Sequence, residues 1–350
     1  MAFTTIAKVS EHFDCPTWTG SDSTTTITGM GFKPDSLWIR RYNGNGHPVL
    51  NNSSQGIAKN WIPSGGNAYD TTSYVASYTS DGFTLTGNLA NTNDASELYV
   101  GACWKANGGT TSSNSYGSIT STVQANTTAG ISIVTYTGTG SNATIGHGLG
   151  VAPKIIFTKP NVADYGATGN GSTIYVTDPW TDYMEVANAS STLNDNVAFW
   201  NDTAPTTSVF SVGTFDHTNK ASTEIVAYCF AEVQGFSKIG YYSGTGNVAG
   251  TKVYCGFRPK WILIKNADEA EDWLVKTSGL TGYGLGGERT RSYYLNRNVS
   301  FSNATVQFES NGFRLASTDW KVNKENAKYI YMAFAEMPMV GTNGTVGLSA

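Results

Sequence analysis

Charge is scarce in this sequence. Lys, Arg, Asp and Glu make up 14 % of its 350 residues, against roughly 25 % in an average soluble domain. The net charge is −4. With few basic residues and no basic cluster, nucleic acid is not expected as a partner, because phosphate binding needs concentrated positive charge. The nearest approach to a cluster is Arg289, Arg291 and Arg297, set among tyrosines, and it reads as a solvated strand face. Cysteine is also sparse. Cys15, Cys103, Cys229 and Cys255 form no C-x-x-C, which removes the zinc-ribbon and redox readings and leaves no disulfide framework. No stretch approaches the ~18 consecutive apolar residues of a membrane span. The N-terminal "MAFTTIAKVSEHFD" lacks the basic and apolar regions of a secretory signal. Helical patterns are missing too. Only "NADEAEDWLVK" (266–276) offers a turn or two of helix, and a strand led by an acidic loop fits it equally well.

The deficit is filled by Ser, Thr, Asn, 39 Gly and 12 % aromatics, the composition of twisted strands joined by tight turns. Three anchors recur in constant order. The first is an aromatic before a small turn: "WTGSD" at Trp18, "YTGTG" at Tyr136 and "YSGTG" at Tyr242. The second is a Gly/Pro turn feeding an apolar strand: "GFKPDSLWIRR" (31–41), "GLGVAPKIIFTKP" (148–160) and "GFRPKWILIKN" (256–266). The third is a strand around Phe83, Phe210 or Phe313, then a loop and a closing strand: "ELYVGACWKA", "EIVAYCFAE" and "KYIYMAFAE". Pro34, Pro153 and Pro259 mark one point of each unit, where a proline at the head of a strand removes no ladder bond. The expected fold is all-β: three tandem β-sandwich, jelly-roll-like units. They cover residues 1–106, 131–235 and 236–350. The polar segment 107–130 between the first two is either a flexible linker or an extended arm, packed in place or reaching a neighbouring subunit.

The closing strands alternate with period two. One face carries Val226, Tyr228 and Phe230, or Ile330, Met332 and Phe334; it suits the core between the two sheets of a unit. The other carries Ile225, Ala227, Cys229 and Ala231, or Tyr329, Tyr331, Ala333 and Ala335; its small residues suit close packing of unit on unit or subunit on subunit.

Chemical motifs are thin. His12, His47, His147 and His217 stand in unrelated contexts, and His147 in "GHGLG" reads as a turn residue bonding the backbone. Asp268, Glu269, Glu271 and Asp272 share one loop, but without the glycine spacing of a calcium loop, and the other units do not repeat it. "GTGNVAG" (244–250) and "GYGLGG" (282–287) resemble phosphate loops only in glycine count. No paired carboxylates and no G-x-S-x-G nucleophile stand out. No catalytic residue, metal ligand or cofactor is therefore expected. The middles of the units (42–78, 161–200 and 266–301) diverge while staying rich in aromatics. In "STIYVTDPWTDYMEV" (172–186), Tyr175, Trp180 and Tyr183 stand beside Asp178 and Asp182. Rings flanked by carboxylates are the make-up of a sugar-stacking site; a subunit interface and plain core are the other two readings.

The long motifs "GGTTSSNSYGSITSTVQANTTAGISIVTYTGTGSNATIGHGLGVAPKIIFTK", "AYCFAEVQGFSKIGYYSGTG" and "YIYMAFAEMP" resemble a family of repeat proteins common in marine and freshwater bacteriophages, cyanophages among them. The resemblance runs from Trp18 to Pro338. It implies a non-enzymatic virion structural protein, made in the host cytoplasm and carried on the particle as a tail fibre, tail adaptor or capsid decoration. The implied partners are other virion proteins and further copies of the chain, with no nucleic acid, no membrane and no catalytic residues. The alternative it leaves open is a receptor-recognition module that binds carbohydrate at the host surface.

Overall fold

The structure, a computed structural model, describes residues 4–65, 68–162, 172–177, 183–185, 192–280, 292–299, 302 and 304–337. Among them a 3-10 turn, Val9–Glu11, and two four-residue helices, Val197–Trp200 and Asp216–Asn219, interrupt a fold otherwise made of strands. The fold is all-β and every pairing between its strands is antiparallel.

Three large sheets carry the architecture, and one pairing rule governs them. The closing strand lies between the opening strand and the Pro-led strand. Leu98–Trp104 sits between Phe13–Asp14 with Thr17–Thr19 on one side and Ser36–Arg41 on the other. Glu224–Phe230 sits between Ile131–Thr137 and Ile155–Pro160. Lys328–Ala335 sits between Ser237–Ser243 and Pro259–Asn266. Pro34, Pro153 and Pro259 are all buried at the head of the Pro-led strand, beside the end of the closing strand. The Asp35 N–H donates to Trp104 O at 2.8 Å, the Lys154 N–H donates to Phe230 O at 2.7 Å, and Pro259 pairs with Ala335.

Each large sheet faces a small one: Thr25–Ile27, Gly82–Leu85 and Val75–Thr79; Ala143–Gly146 with Val209–Val212; Lys252–Tyr254, Gly312–Leu315 and Val306–Glu309. Phe83, Phe210 and Phe313 are fully buried on these small sheets. The acidic loop of 266–276 leads into a strand, Leu274–Thr277, and forms no helix.

The same turn is built three times. Trp18 Nε1–H donates to Thr92 O at 3.0 Å, Tyr136 OH to Thr218 O at 2.6 Å and Tyr242 OH to Val322 O at 2.7 Å. One residue on stands a fully buried asparagine: Asn93, Asn219 or Asn323. Its amide donates to two carbonyls, Ser23 and Thr86, Ser141 and Gly213, or Asn247 and Ser317. Its oxygen accepts the N–H of Ser21, Thr139 or Thr245. A Cβ on Gly20, Gly138 or Gly244 would lie 2.1, 2.3 and 2.1 Å from the carbonyl oxygen of Asp94, Lys220 and Lys324, so only glycine fits the approach.

The two faces of the closing strands are used the opposite way from the expectation. The small set (Ala227, Cys229; Tyr99, Cys103) packs inward on its own small sheet, because that sheet already fills the space with Phe210 or Phe83. The bulky set faces the other two large sheets. Trp104 has its ring centroid 4.9 Å from Trp38, 5.7 Å from Phe230, 5.4 Å from Trp261 and 5.5 Å from Phe334. Trp38 reaches Phe157 at 5.4 Å, and Phe13 stacks on Phe334 at 4.8 Å. One aromatic junction thus belongs to all three sheets. Most of its rings meet edge to face, the arrangement their quadrupoles favour. Among the described residues, the indole N–H groups of Trp38, Trp61 and Trp104 are buried without a hydrogen-bond acceptor.

Polar contacts close the arrangement around the junction. Asn52 Nδ2 donates to Tyr228 OH at 2.9 Å, and Lys59 pairs with Glu224 at 2.8 Å. The Leu193 N–H donates to Ala267 O at 2.9 Å. Lys260 pairs with Asp14, and Arg40 donates to Val299 O. The first sandwich touches the third as well as the second. The polar segment after it is a packed arm: Ser112–Asn114 and Ser121–Asn126 extend the second large sheet beside Ile131–Thr137. Backbone pairing orders it despite its composition, with Val123 and Gln124 buried and Gln124 Nε2 donating to Ser53 and Ser54 at 3.0 and 2.7 Å.

Trp104→Ala is expected to cost about 3–5 kcal/mol in denaturant unfolding, the range for a fully buried large aromatic. Trp320, 55 % exposed, serves as the control: Trp320→Ala should cost less than about 1 kcal/mol.

Candidate functional site

Among the described residues, a candidate ligand site lies on the first sandwich. It is a cavity of about 520 Å³ lined by His47, Ile62, Tyr69, Asp70, Tyr74 and Asn91, with Thr71 exposed in its wall. Small-ligand sites commonly fall at about 300–1,000 Å³. The stretch after the Pro-led strand turns through "NGNGHP", pairs as Val49–Asn52 with Gly56–Trp61, and returns past Asp70. Asn60 anchors that return: its N–H donates to Asp70 O at 3.0 Å and its amide donates to Asp70 O and Thr72 O at 2.9 and 2.7 Å.

A hydrogen-bonded chain runs round the wall. Asp70 Oδ1 accepts the Thr72 N–H at 2.7 Å and Oδ2 accepts Tyr74 OH at 3.3 Å. Tyr74 OH accepts from Asn91 Nδ2 at 3.1 Å, and Asn91 Oδ1 accepts the His47 N–H at 2.9 Å. His47 has both ring nitrogens engaged, Nδ1 with Ser64 Oγ at 2.8 Å and Nε2 with Asn298 Nδ2 at 3.0 Å. With Asn298 as the donor, His47 carries its proton on Nδ1 and donates it to Ser64. An imidazole so placed has no lone pair facing the Ser64 hydroxyl and does not activate it as a nucleophile. Burial, then the Arg40 guanidinium, holds the His47 pKa below its ordinary value, with Asp70 opposing. The arrangement is a hydrogen-bonded set of donors and acceptors beside aromatic walls.

The other histidines are structural. His147 Nε2 donates to Thr206 O at 3.1 Å and Nδ1 accepts the Leu149 N–H at 3.2 Å, the backbone-bonding turn role. His12 meets Asn126 Nδ2 at 3.1 Å. His217 lies against Phe215, ring centroids 4.7 Å apart. Burial lowers the pKa of all four histidines.

Cations sit at one repeated position, two residues beyond Trp38, Phe157 and Leu263. Arg40, Lys159 and Lys265 are at most 1 % exposed. Burial pushes Arg40 down to about 10 and Lys159 down to about 8, and Lys265 Nζ donates to Glu269 O at 3.1 Å. In the acidic loop each carboxylate has a different partner: Asp268 the Lys328 N–H, Glu269 Lys324, Glu271 Lys321, Asp272 Arg297 and Asn296. Arg289 and Arg291 lie outside the described residues. All four cysteine thiols are buried and unpaired, with burial raising every thiol pKa.

Of the sugar-stacking candidates, Tyr175 is fully buried on the Thr173–Val176 strand, its ring 5.5 Å from Trp200. Tyr183 lies on the next strand, Tyr183–Glu185, paired with Val176 and Asp195. Asp178, Trp180 and Asp182 lie outside the described residues. Residue types alone did not single out His47, Asp70, Tyr74 and Asn91. The one signal for the first two and Tyr74 is that 42–78 departs from the corresponding stretches of the other sandwiches.

One sequence family matches the chain, the domain of unknown function DUF7483, and the match runs over residues 8–338. The chain belongs to this family. The matched span takes in all three large sheets and the cavity, so the family is defined over the closed arrangement and not over one sandwich of it. No curated protein matches the chain.

The pH dependence of stability follows from His217. Burial, then Lys159, lowers its pKa from 6.5 to about 4, with Asp216 opposing. Between these values the unfolded chain binds a proton that the folded chain does not, so stability present above pH 6.5 is lost as the pH falls toward 4. The loss is roughly 3 kcal/mol for this residue. Urea titrations at intervals across that window should show the decline, and His217→Gln should make it shallower, leaving the part due to His12, His47 and His147.

Proposed function

We propose that this protein is a non-catalytic structural component of a bacteriophage virion, in the tail as a fibre or adaptor or on the capsid as a decoration. The resemblance of its repeated motifs to virion proteins supports the setting. The geometry that carries the structural role is the shared aromatic junction: Trp38 and Trp104 of the first large sheet, Phe230 of the second, and Trp261 and Phe334 of the third lock three sheets into one body. Large buried aromatics held between elements resist local opening, which suits a part that is held in place under load. Its partners are other virion proteins and further copies of the chain. Exposed Tyr116, Tyr254 and Trp320 are available for such docking, since aromatic side chains are enriched at the centres of interfaces. The chain is made in the host cytoplasm and leaves on the particle.

A second reading, recognition of a host-surface glycan, is favoured by the His47 cavity.

Density-banded particles, digested and analysed by mass spectrometry and imaged by electron microscopy, test the first reading. The chain should appear in fixed stoichiometry with the known coat or tail components, with density that its three sheets fit. Its presence in infected-cell lysate and absence from banded particles would overturn the assignment.

A further inference from the structure

We propose that the His47–Asp70–Tyr74 cavity binds a neutral polyhydroxylated ligand, a single pyranose ring or the terminal ring of a glycan. The inference rests on the glycan reading and is independent of the virion assignment.

The wall chemistry sets the ligand class. Each Asp70 oxygen accepts one internal hydrogen bond, from the Thr72 N–H or from Tyr74 OH, and an ionised carboxylate has about four acceptor positions. Asp70 therefore keeps acceptor capacity for ligand hydroxyls, fixed in direction by the bonds it already makes. Asn91 donates one amide hydrogen to Tyr74 OH and keeps another. Thr71 adds an exposed hydroxyl at the rim. His47, with both nitrogens engaged, leaves its flat ring face, and Tyr69, Tyr74 and Ile62 supply further apolar wall. Alternating hydroxyl edges and C–H faces are what a pyranose presents. An anionic ligand is disfavoured: neither lysine nor arginine lines the cavity among the described residues, and Asp70 does. Because the donors and acceptors are tied to one another, little ordering remains to be done on binding. The other two sandwiches have different residues in the corresponding stretches, so the first carries the site.

The test uses the full chain. Methyl glycosides of glucose, galactose, mannose and N-acetylglucosamine are titrated at millimolar concentration by saturation-transfer NMR and calorimetry, with methyl glucuronide and inorganic phosphate as anionic probes. At least one neutral glycoside should bind saturably. Thr71→Trp fills the rim from an exposed position and should abolish that binding with the melting temperature unchanged. Asp70→Asn keeps the shape and should weaken binding about tenfold, as loss of a charge-assisted hydrogen bond does. Failure of every neutral glycoside to bind overturns both this inference and the glycan reading. Undiminished binding in both variants overturns the cavity and leaves the glycan reading standing. Preference for the glucuronide or phosphate overturns the ligand class.

Discussion

The structure depends on a large sheet that is apolar on both faces and must hide both. A small sheet of two or three strands covers one face. The other carries Trp38, Ala102 and Trp104 in the first sandwich, Phe157, Tyr228 and Phe230 in the second, and Trp261, Met332 and Phe334 in the third. Rings of this size each bury on the order of 150–250 Å², and leaving them in water would cost more than a sandwich of this size gains. Three such faces meeting at one junction solve the problem together. Trp104 and Trp38 each touch rings from both other large sheets.

That constraint explains features placed well away from the junction. The apolar run of each Pro-led strand ends in a buried cation, Arg40, Lys159 or Lys265, and Arg40 and Lys265 donate to backbone carbonyls. The ion pairs Lys59–Glu224 and Lys260–Asp14 lie between sandwiches. The divergent stretches after the Pro-led strands fill the spaces between neighbours: Tyr69 OH donates to Lys159 O at 2.9 Å, and the Leu193 N–H donates to Ala267 O. Divergence there follows from each stretch meeting a different neighbour. In the first sandwich it also opens the cavity beside His47.

Much of the fold was legible in the sequence, for steric reasons. Pro34, Pro153 and Pro259 have to head strands, Phe83, Phe210 and Phe313 have to be buried, and Trp18, Tyr136 and Tyr242 announce the turn they hydrogen-bond. The asparagines Asn93, Asn219 and Asn323 were equally readable, each one residue past the carbonyl that this aromatic bonds, yet a lone asparagine in a polar loop draws no attention until its amide is seen buried. Which face of Tyr228 or Met332 meets which partner was not readable. Period-two alternation separates two faces without saying what lies opposite either. Composition left 107–130 open between a linker and an arm, because it does not show the backbone pairing that orders 112–126. The candidate site was hardest, because His47, Asp70, Tyr74 and Asn91 converge only through the return of the chain past Asn60. Tyr175 in "TIYV" had signals for two readings: flanking acids point to a surface ring, while the apolar run around it points to the core, where the ring lies.

Differential scanning calorimetry of the intact chain tests the shared junction most directly. One body held by one core should melt in a single transition, with the calorimetric enthalpy equal to the van't Hoff enthalpy. Near- and far-UV circular dichroism should be lost together. Two or three resolved transitions, each with the enthalpy of a sandwich of its own, would mean that the sheets fold independently and would contradict a core common to all three.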